Sequence, residues 1–270
     1  MINIENVSYK YKNGKNVLKN ISFSIKNGEI VTIVGKNGSG KSTIGKLISG
    51  ILKLKEGSIF IDGMDISKRK NRELISSKIG IVFQNPDSQI IFSNIKEEFS
   101  YITQDENIID DALKYVDMLE YKNKDLYYLS LGQKQRIMIA EVLAKKPQYI
   151  IFDEPTTMID SIGKVKIYKL IKKLKDEGYT IICITNLADE ILLADRTIIL
   201  NKQGFAHHFF RKKILLLCLI LIFNRLFMDL NKQILSRRPI VIALIAILVV
   251  LIGGGGFWVY RLAWAPNFKP

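Results

Sequence analysis

An eight-residue glycine-rich segment constrains the fold of this chain more than any other feature. It spans residues 35–42, reads Gly-Lys-Asn-Gly-Ser-Gly-Lys-Ser, and fits the pattern G-x-x-x-x-G-K-[ST] at every fixed position. An apolar run at 30–34 precedes it, and an amphipathic helix is predicted to follow over about 41–51. This context predicts a strand–turn–helix unit. The alternative is an ordinary glycine-rich turn with a chance Lys-Ser.

Such a turn suits phosphate groups. Glycines let successive backbone N–H groups turn inward around phosphate oxygens, and the helix N-terminus adds a fixed positive dipole. We expect Lys41 to pair with the outer phosphates and the Ser42 hydroxyl to hold Mg²⁺. The predicted ATP-binding residues of this segment are Gly35, Lys36, Asn37, Gly38, Ser39, Gly40, Lys41, Ser42 and Thr43.

Two adjacent acidic residues, Asp153 and Glu154, close the apolar run at 149–152. A strand buried on both faces can present a carboxylate only at its C-terminal end, where α/β sheets bind ligands. Asp153 is the predicted Mg²⁺ ligand, and Glu154 is the predicted general base for an attacking water. Without the glycine-rich segment, the pair would equally fit a solvated turn.

Apolar runs alternate with amphipathic stretches up to residue 203, which is the α/β pattern. We predict a domain over 1–203, with an inserted helical subdomain over about 85–145. The predicted strands are 30–34, 79–83, 149–152, 180–185 and 197–200, and the predicted helices of the insertion are 107–121 and 131–144.

The net charge of +14 is unevenly distributed. Residues 204–270 hold nine Lys or Arg and one acid, so the first 203 residues carry only +6. Their longest basic run is Lys68-Arg69-Lys70, and no aromatic residues are interleaved with a basic patch. The charge therefore does not predict a nucleic-acid partner.

Three further motifs in residues 1–203 resemble those of ABC transporter ATPases. Leu129-Ser130-Leu131-Gly132-Gln133 resembles the signature motif, Gln84 the Q-loop, and 153–156 the extended Walker B motif. The resemblance implies an α/β P-loop NTPase fold with a mixed-sheet core. Read alone, the Ser130 segment is also an ordinary helix N-cap.

Residues 33–43, 82–89 and 153–160 are similar to the ATPases of energy-coupling-factor (ECF) transporters, which power import of vitamins and metal ions. The resemblance implies ATP and Mg²⁺ as cofactors and a head-to-tail dimer. Ser130, Gly132 and Gln133 would then contact ATP of a partner subunit, and Gln84 would sense Mg²⁺ and the γ-phosphate.

The same resemblance assigns two further residues and the partners. Asp160 would connect the two ATP sites, and Tyr11 would stack on adenine from the strand face that it shares with Tyr9. The alternative is that both tyrosines cover the sheet edge. The implied partners are a second ATPase subunit, an integral membrane coupling subunit and a substrate-binding membrane subunit, with the ATPase peripheral on the cytoplasmic side of the cell membrane. The groove after the Q-loop would receive helices of the coupling subunit.

The sequence departs from the family pattern at two positions. Asn186 replaces a histidine that contacts the γ-phosphate, and Leu131 replaces a glycine of the signature. An amide donates hydrogen bonds but cannot carry charge near neutral pH. Nucleotide binding is still expected, while a catalytically impaired regulatory subunit, paired with an active ATPase, remains the alternative.

The family resemblance ends at residue 203. Residues 204–238 are predicted as a basic and apolar linker, 239–261 as a transmembrane helix, and 262–270 as a short tail. Ile240–Tyr260 is uncharged, follows Arg237-Arg238 and ends in aromatic residues, which meets the criteria for a membrane span that would anchor the protein. A fusion or a truncated reading frame would also explain this tail.

Overall fold

The structure is a computed structural model that describes residues 1–12, 14, 16–201 and the backbone of 206–210. All of these belong to one unit, Met1–Leu215. No helix within the described ranges has the length and apolarity needed to cross a membrane. The predicted transmembrane helix at 239–261 and the tail at 262–270 lie outside the described residues.

An antiparallel sheet that the sequence patterns did not predict forms one layer. Its order is β2-β1-β4-β5, and β1 is its centre, with Ile2 paired to Ile25 on one side and to Ile61 on the other. The register shifts along β1, so apolar residues do not alternate strictly. Its strands are β1 (Ile2–Lys10), β2 (Asn16–Ile25), β4 (Glu56–Ile61) and β5 (Met64–Asp65).

The second sheet contains all five predicted strands, each within one residue of its predicted ends. Its order is β10-β9-β3-β8-β7-β6, and every pairing except β10 with β9 is parallel. The carboxyl ends of β3, β6, β7 and β8 therefore meet at one edge. The strands are β3 (Ile30–Gly35), β6 (Ile79–Val82), β7 (Tyr149–Asp153), β8 (Thr180–Ile184), β9 (Arg196–Leu200) and β10 (Ala206–Phe210).

The last strand, β10, lies beyond the predicted domain boundary at residue 203. Ala206–Phe210 was predicted as linker, but its backbone pairs antiparallel with β9 and extends the sheet. An edge strand offers unpaired N–H and C=O groups to any neighbouring extended segment, and the backbone of β10 takes up this position beside β9.

Seven helices occur in the described part of the chain, and α3, α4 and α5 come between β6 and β7. The predicted helix 107–121 is wrong beyond Tyr115. The α4 helix ends there because Asp117 takes φ 56° and the buried Arg136 donates to the Val116 and Asp117 carbonyls, at 2.9 and 3.2 Å. The helices are α1 (Lys41–Ile48), α2 (Arg72–Lys78), α3 (Ile95–Ser100), α4 (Glu106–Tyr115), α5 (Leu131–Ala144), α6 (Ser161–Asp176) and α7 (Ala188–Leu193).

Two apolar cores hold these layers together. One lies between the two sheets and includes α1, and the other joins the second sheet to the helical insertion, α5 and α6. Helix α5 approaches β6 so closely that a Cβ atom on Gly80 would lie 2.1 Å from Val142 Cγ1. The boundaries 85 and 145 of the helical subdomain stay a prediction.

Candidate functional site

The glycine-rich segment forms a tight turn between β3 and α1. Gly38 and Gly40 have φ of 81° and 97°, which an L-amino acid side chain disfavours. Ser39 N donates to the Lys36 carbonyl at 2.9 Å, and the buried Ser39 Oγ has no partner in the described part of the chain. A Cβ on Gly35 would lie 2.3 Å from the Leu200 carbonyl oxygen, so position 35 has no room for a larger residue.

Lys41 and Asn186 meet behind this turn. Lys41 is buried, and its Nζ donates to the Gly35 carbonyl at 2.8 Å. When the Asn186 amide donates to the Gly35 oxygen at 2.7 Å, its own oxygen accepts from Lys41 Nζ at 3.2 Å. The reverse orientation allows one bond, from Nδ2 to Asn37 Oδ1 at 3.3 Å. The first orientation is favoured because it satisfies both ends of the amide.

Ser42 and Asp153 join the turn to the end of β7. The Ser42 hydroxyl donates to Asp153 Oδ1 at 2.9 Å. Burial raises the pKa of Asp153, the Glu154 charge adds to this, and the bond from Ser42 opposes it. The carboxylate is thus poorly solvated beside a hydroxyl, and both groups are oxygen ligands of the kind that Mg²⁺ prefers.

Glu154 directly follows Asp153 and adopts φ 52°, unusual for a residue with a Cβ. Its N–H donates to the Ile184 carbonyl of β8 at 2.8 Å, which anchors the backbone at this angle. Strain of this kind persists where surrounding structure imposes it, often at functional sites. The half-buried Glu154 side chain borders the cavity next to the turn.

One cavity of about 480 Å³ brings nine of the predicted site residues together. It opens between the glycine-rich turn, the end of β7 and the start of β2. Val17 of β2 is a lining residue that the sequence did not reveal, because no motif marks it. The lining residues are Tyr11, Val17, Asn37, Gly38, Gly40, Lys41, Ser42, Thr43, Gln84 and Glu154.

Tyr11 lies one residue beyond the end of β1, so the expectation that Tyr9 and Tyr11 share one strand face is wrong. Tyr9 is buried, and its ring meets the Tyr11 ring edge to face, with centroids 5.0 Å apart. The Tyr11 hydroxyl lies 3.1 Å from Thr43 Oγ1. These two contacts place Tyr11 at the cavity wall, as its predicted role requires.

Gln84 is an exposed residue of the cavity wall, on a segment tied to its neighbours. The preceding Phe83 N donates to Gln89 Oε1 at 2.8 Å, and the Phe83 carbonyl accepts from the buried Gln135 of α5 at 3.0 Å. Lys134 also pairs with Asp87 at 2.8 Å. These contacts with α5 therefore fix the position of the segment that carries Gln84.

The signature residues lie apart from this cavity and cap a helix. Gln133 N donates to Ser130 Oγ at 3.3 Å, and Ser130 N donates to Gln133 Oε1 at 2.9 Å, a capping box at the start of α5. Asp160 caps α6 with a single bond, in which its side chain accepts from Gly163 N at 2.6 Å. The N-cap interpretation is thus confirmed, and the contacts of Ser130, Gly132, Gln133 and Asp160 with a second subunit stay predictions.

The donor set fits a nucleoside triphosphate with a divalent cation. The buried, unpartnered Ser39 hydroxyl and the glycine turn suit phosphate oxygens, and the Ser42–Asp153 pair suits Mg²⁺. An aromatic wall at Tyr11 suits a base. Fold and site together define a P-loop ATPase.

The family model for ABC transporters matches residues 18–157, and the chain belongs to this family. The ATP-binding protein EcfA1 of the energy-coupling factor transporter of Fusobacterium nucleatum is 46% identical over 209 residues, which cover 74% of this chain and 79% of the relative. EcfA1 of Ligilactobacillus salivarius is 43% identical over 74% of each chain. The predicted resemblance to ECF transporter ATPases is confirmed.

Solved structures agree with this assignment. The CbiO1 subunit of Clostridium perfringens, described as part of the ABC transporter complex CbiONQ, superposes with a TM-score of 0.72 at 32% identity, over 86% of this chain and 95% of that one. A dimeric ATP-binding cassette in a post-hydrolysis state with ADP and Pi has a TM-score of 0.70 at 31% identity, over 78% of this chain and 99% of that one. The chain is an ATPase of the transport family and binds ATP.

Proposed function

We propose that the chain is the ATP-hydrolysing motor subunit of an ECF-type importer for vitamins or metal ions. The observation that carries the proposal is that Lys41, Ser42 and Glu154 line one and the same cavity. Relatives named EcfA1 support the type of transporter.

The proposal assigns chemical roles to residues in and beside this cavity. Lys41 and the backbone of the turn bind the phosphates, while Ser42, Asp153 and Gln84 hold Mg²⁺, which supplies positive charge beside the phosphates when bound. Glu154 orients the attacking water and accepts its proton. Asn186 already contacts Lys41 and can only donate or accept hydrogen bonds there.

A head-to-tail dimer explains why the signature is remote from the cavity of its own chain. Ser130 is exposed at the N-terminus of α5, where a helix dipole favours a phosphate presented by another subunit. The dimeric relative bound to ADP and Pi supports this arrangement. The partner subunit is a second ATPase, identical or not.

An exposed apolar patch beside the Q-loop suits the membrane coupling subunit. We define the docking patch as Ile91, Phe92, Tyr127 and Tyr128, with exposures of 66, 36, 72 and 88%. The two chain segments that form this patch, 91–92 and 127–128, are held together next to it, where Leu126 N donates to the Ser93 carbonyl at 2.7 Å. Buried Glu98 shapes the loop by accepting from Ile91 N and Phe92 N. Such a patch is a typical protein–protein contact.

The proposed location is the cytoplasmic side of the cell membrane, through that patch, with a substrate-binding membrane subunit as a further partner. Purification of the untagged complex from native membranes tests this proposal. We expect a second ATPase and two membrane subunits. Recovery of the full chain without any membrane subunit would contradict it. Carbonate extraction tests the separate anchor prediction for 239–261, because an anchored chain resists release.

Two substitutions separate the motor from the regulatory alternative, which Asn186 favours. Glu154→Gln should abolish ATP turnover by the complex while leaving ATP binding intact, since only the proton acceptor is lost. Equal turnover with and without this change would mean that the partner ATPase does the work. Asn186→His should then raise turnover at this site, whereas an unchanged rate would remove Asn186 as the cause of any impairment.

A further inference from the structure

Glu190 is a buried carboxylate that no motif of the sequence singled out. It belongs to the short helix α7 and is fully buried. Its Oε1 accepts a hydrogen bond from Thr156 Oγ1 at 2.5 Å, while its Oε2 has no partner among the residues that the structure describes. Burying a carboxylate costs free energy unless hydrogen bonds compensate for the lost water, and here only one of the two oxygens has such a bond.

The partners of Glu190 belong to two segments of the site. Thr156 lies two residues after Glu154, and Thr185 immediately precedes Asn186. Burial raises the pKa of Glu190, and the nearby Thr156 and Thr185 hydroxyls oppose this shift. Leu187 N donates to Thr185 Oγ1 at 2.9 Å, which leaves the hydroxyl hydrogen free to point at the carboxylate. One side chain therefore joins the residues that follow β7 and β8.

This link reinforces a backbone contact. The two segments are otherwise joined by the bond from Glu154 N to the Ile184 carbonyl. Tyr168 of α6 approaches Thr156 Oγ1 at 3.3 Å and closes the same cluster from the other side. A displacement of Thr156 would move Glu154 against Asn186, and a small misplacement of a catalytic group lowers rates strongly.

We propose that Glu190 is a positioning residue for ATP hydrolysis, which holds Glu154 and Asn186 in a fixed relation through Thr156 and Thr185. The proposal rests on the proposed hydrolytic function of the cavity. Glu190 itself does not line the cavity, so it acts through these neighbours.

The test compares Thr156→Val, which removes the donor at similar shape, with Thr156→Ser, which keeps it. Thr197→Val is the matched control, because the Thr197 hydroxyl pairs with Thr32 at 2.7 Å inside the sheet, away from the cavity. We expect Thr156→Val to lower kcat of the full complex at least tenfold while the Kd for Mg-ATP changes less than twofold. Thr156→Ser should restore most of kcat, and Thr197→Val should leave kcat per folded molecule unchanged.

A kcat for Thr156→Val equal to that of wild type, or a loss of the same size in Thr197→Val, would overturn the proposal. Hydrogen exchange on the full chain gives a readout independent of turnover. Amides of 154–157 and 185–187 should exchange at least tenfold faster in Thr156→Val than in Thr156→Ser. Unchanged exchange rejects the positioning role, whereas faster exchange in a chain whose wild type never hydrolyses ATP rejects only the hydrolytic function.

Discussion

Ser42 and Asp153 are 111 positions apart in the chain, yet the serine hydroxyl donates to the aspartate at 2.9 Å. They meet because β3 and β7 run parallel, with β8 between them, so the ends of both strands reach the same edge of the sheet. The contact brings the phosphate-binding turn to a carboxylate and creates the pair of oxygen ligands proposed for Mg²⁺.

Asp153→Asn is expected to remove the contribution of Mg²⁺ to ATP binding, because a neutral amide does not offset the charge of the cation. ATP affinity in the presence of Mg²⁺ should fall to the value measured with a chelator. Titration with ATP under both conditions checks this. Asp176→Asn, an exposed acid at the end of α6, is the control, and a wild-type response to Mg²⁺ in Asp153→Asn would exclude Asp153 as a ligand.

Tyr11→Ala should weaken ATP binding, and Tyr11→Phe should not. Base stacking requires only an aromatic face and contributes about 1 to 3 kcal/mol per base in other sites, equivalent to roughly 5- to 150-fold in Kd. Phenylalanine keeps the face and loses only the contact with Thr43. Equal losses in the two variants would show that the hydroxyl, rather than the ring, is what the site requires.

Because of Glu141 in α5, we expect the free energy of unfolding to depend on pH. Burial raises its pKa from 4.5 to about 9, the Glu98 charge adds to this, and Lys145 opposes it. Its Oε1 is buried without a partner in the described ranges. Between these two pKa values the folded state holds a proton that the unfolded state releases, so the free energy of unfolding falls as the pH rises.

Glu141→Gln removes this titration and should flatten the decline. At pH 8 the variant should be more stable than wild type by about 1 to 3 kcal/mol. Urea unfolding at pH 5.5, 7 and 8.5 measures the effect, with the exposed Glu97→Gln as the control. Parallel curves for wild type and Glu141→Gln across this range would contradict the prediction.

Gly80→Ala should destabilise the fold by about 1 to 3 kcal/mol, the usual cost of overpacking. The added methyl group would lie 2.1 Å from Val142 Cγ1, where α5 packs on β6. Adding Val142→Ala makes room, so the double variant should recover part of the loss beyond the sum of the single effects. Additive effects in a thermodynamic cycle would argue against a direct clash.

The local sequence by itself determined those helices and strands whose apolar pattern or capping residues mark them directly. The strand Tyr149–Asp153 is a continuous apolar run because a parallel strand is buried on both faces, and α5 begins where its Ser130–Gln133 capping box predicts. The phosphate-binding turn could also be predicted from local sequence, because the backbone angles of the turn itself require its glycines.

Other features depend on contacts between distant residues and could not be read from local pattern. The pairings of β1 with β2 and β4 contain register shifts that no local pattern reveals, and α4 stops early because Arg136 of α5 binds the carbonyls of the two residues that follow α4. Val17 and Glu190 carry no motif. Only the tertiary structure brought Val17, near the start of β2, to the cavity wall and Glu190 of α7 to the Thr156 hydroxyl, because these contacts join segments that are separate in the sequence.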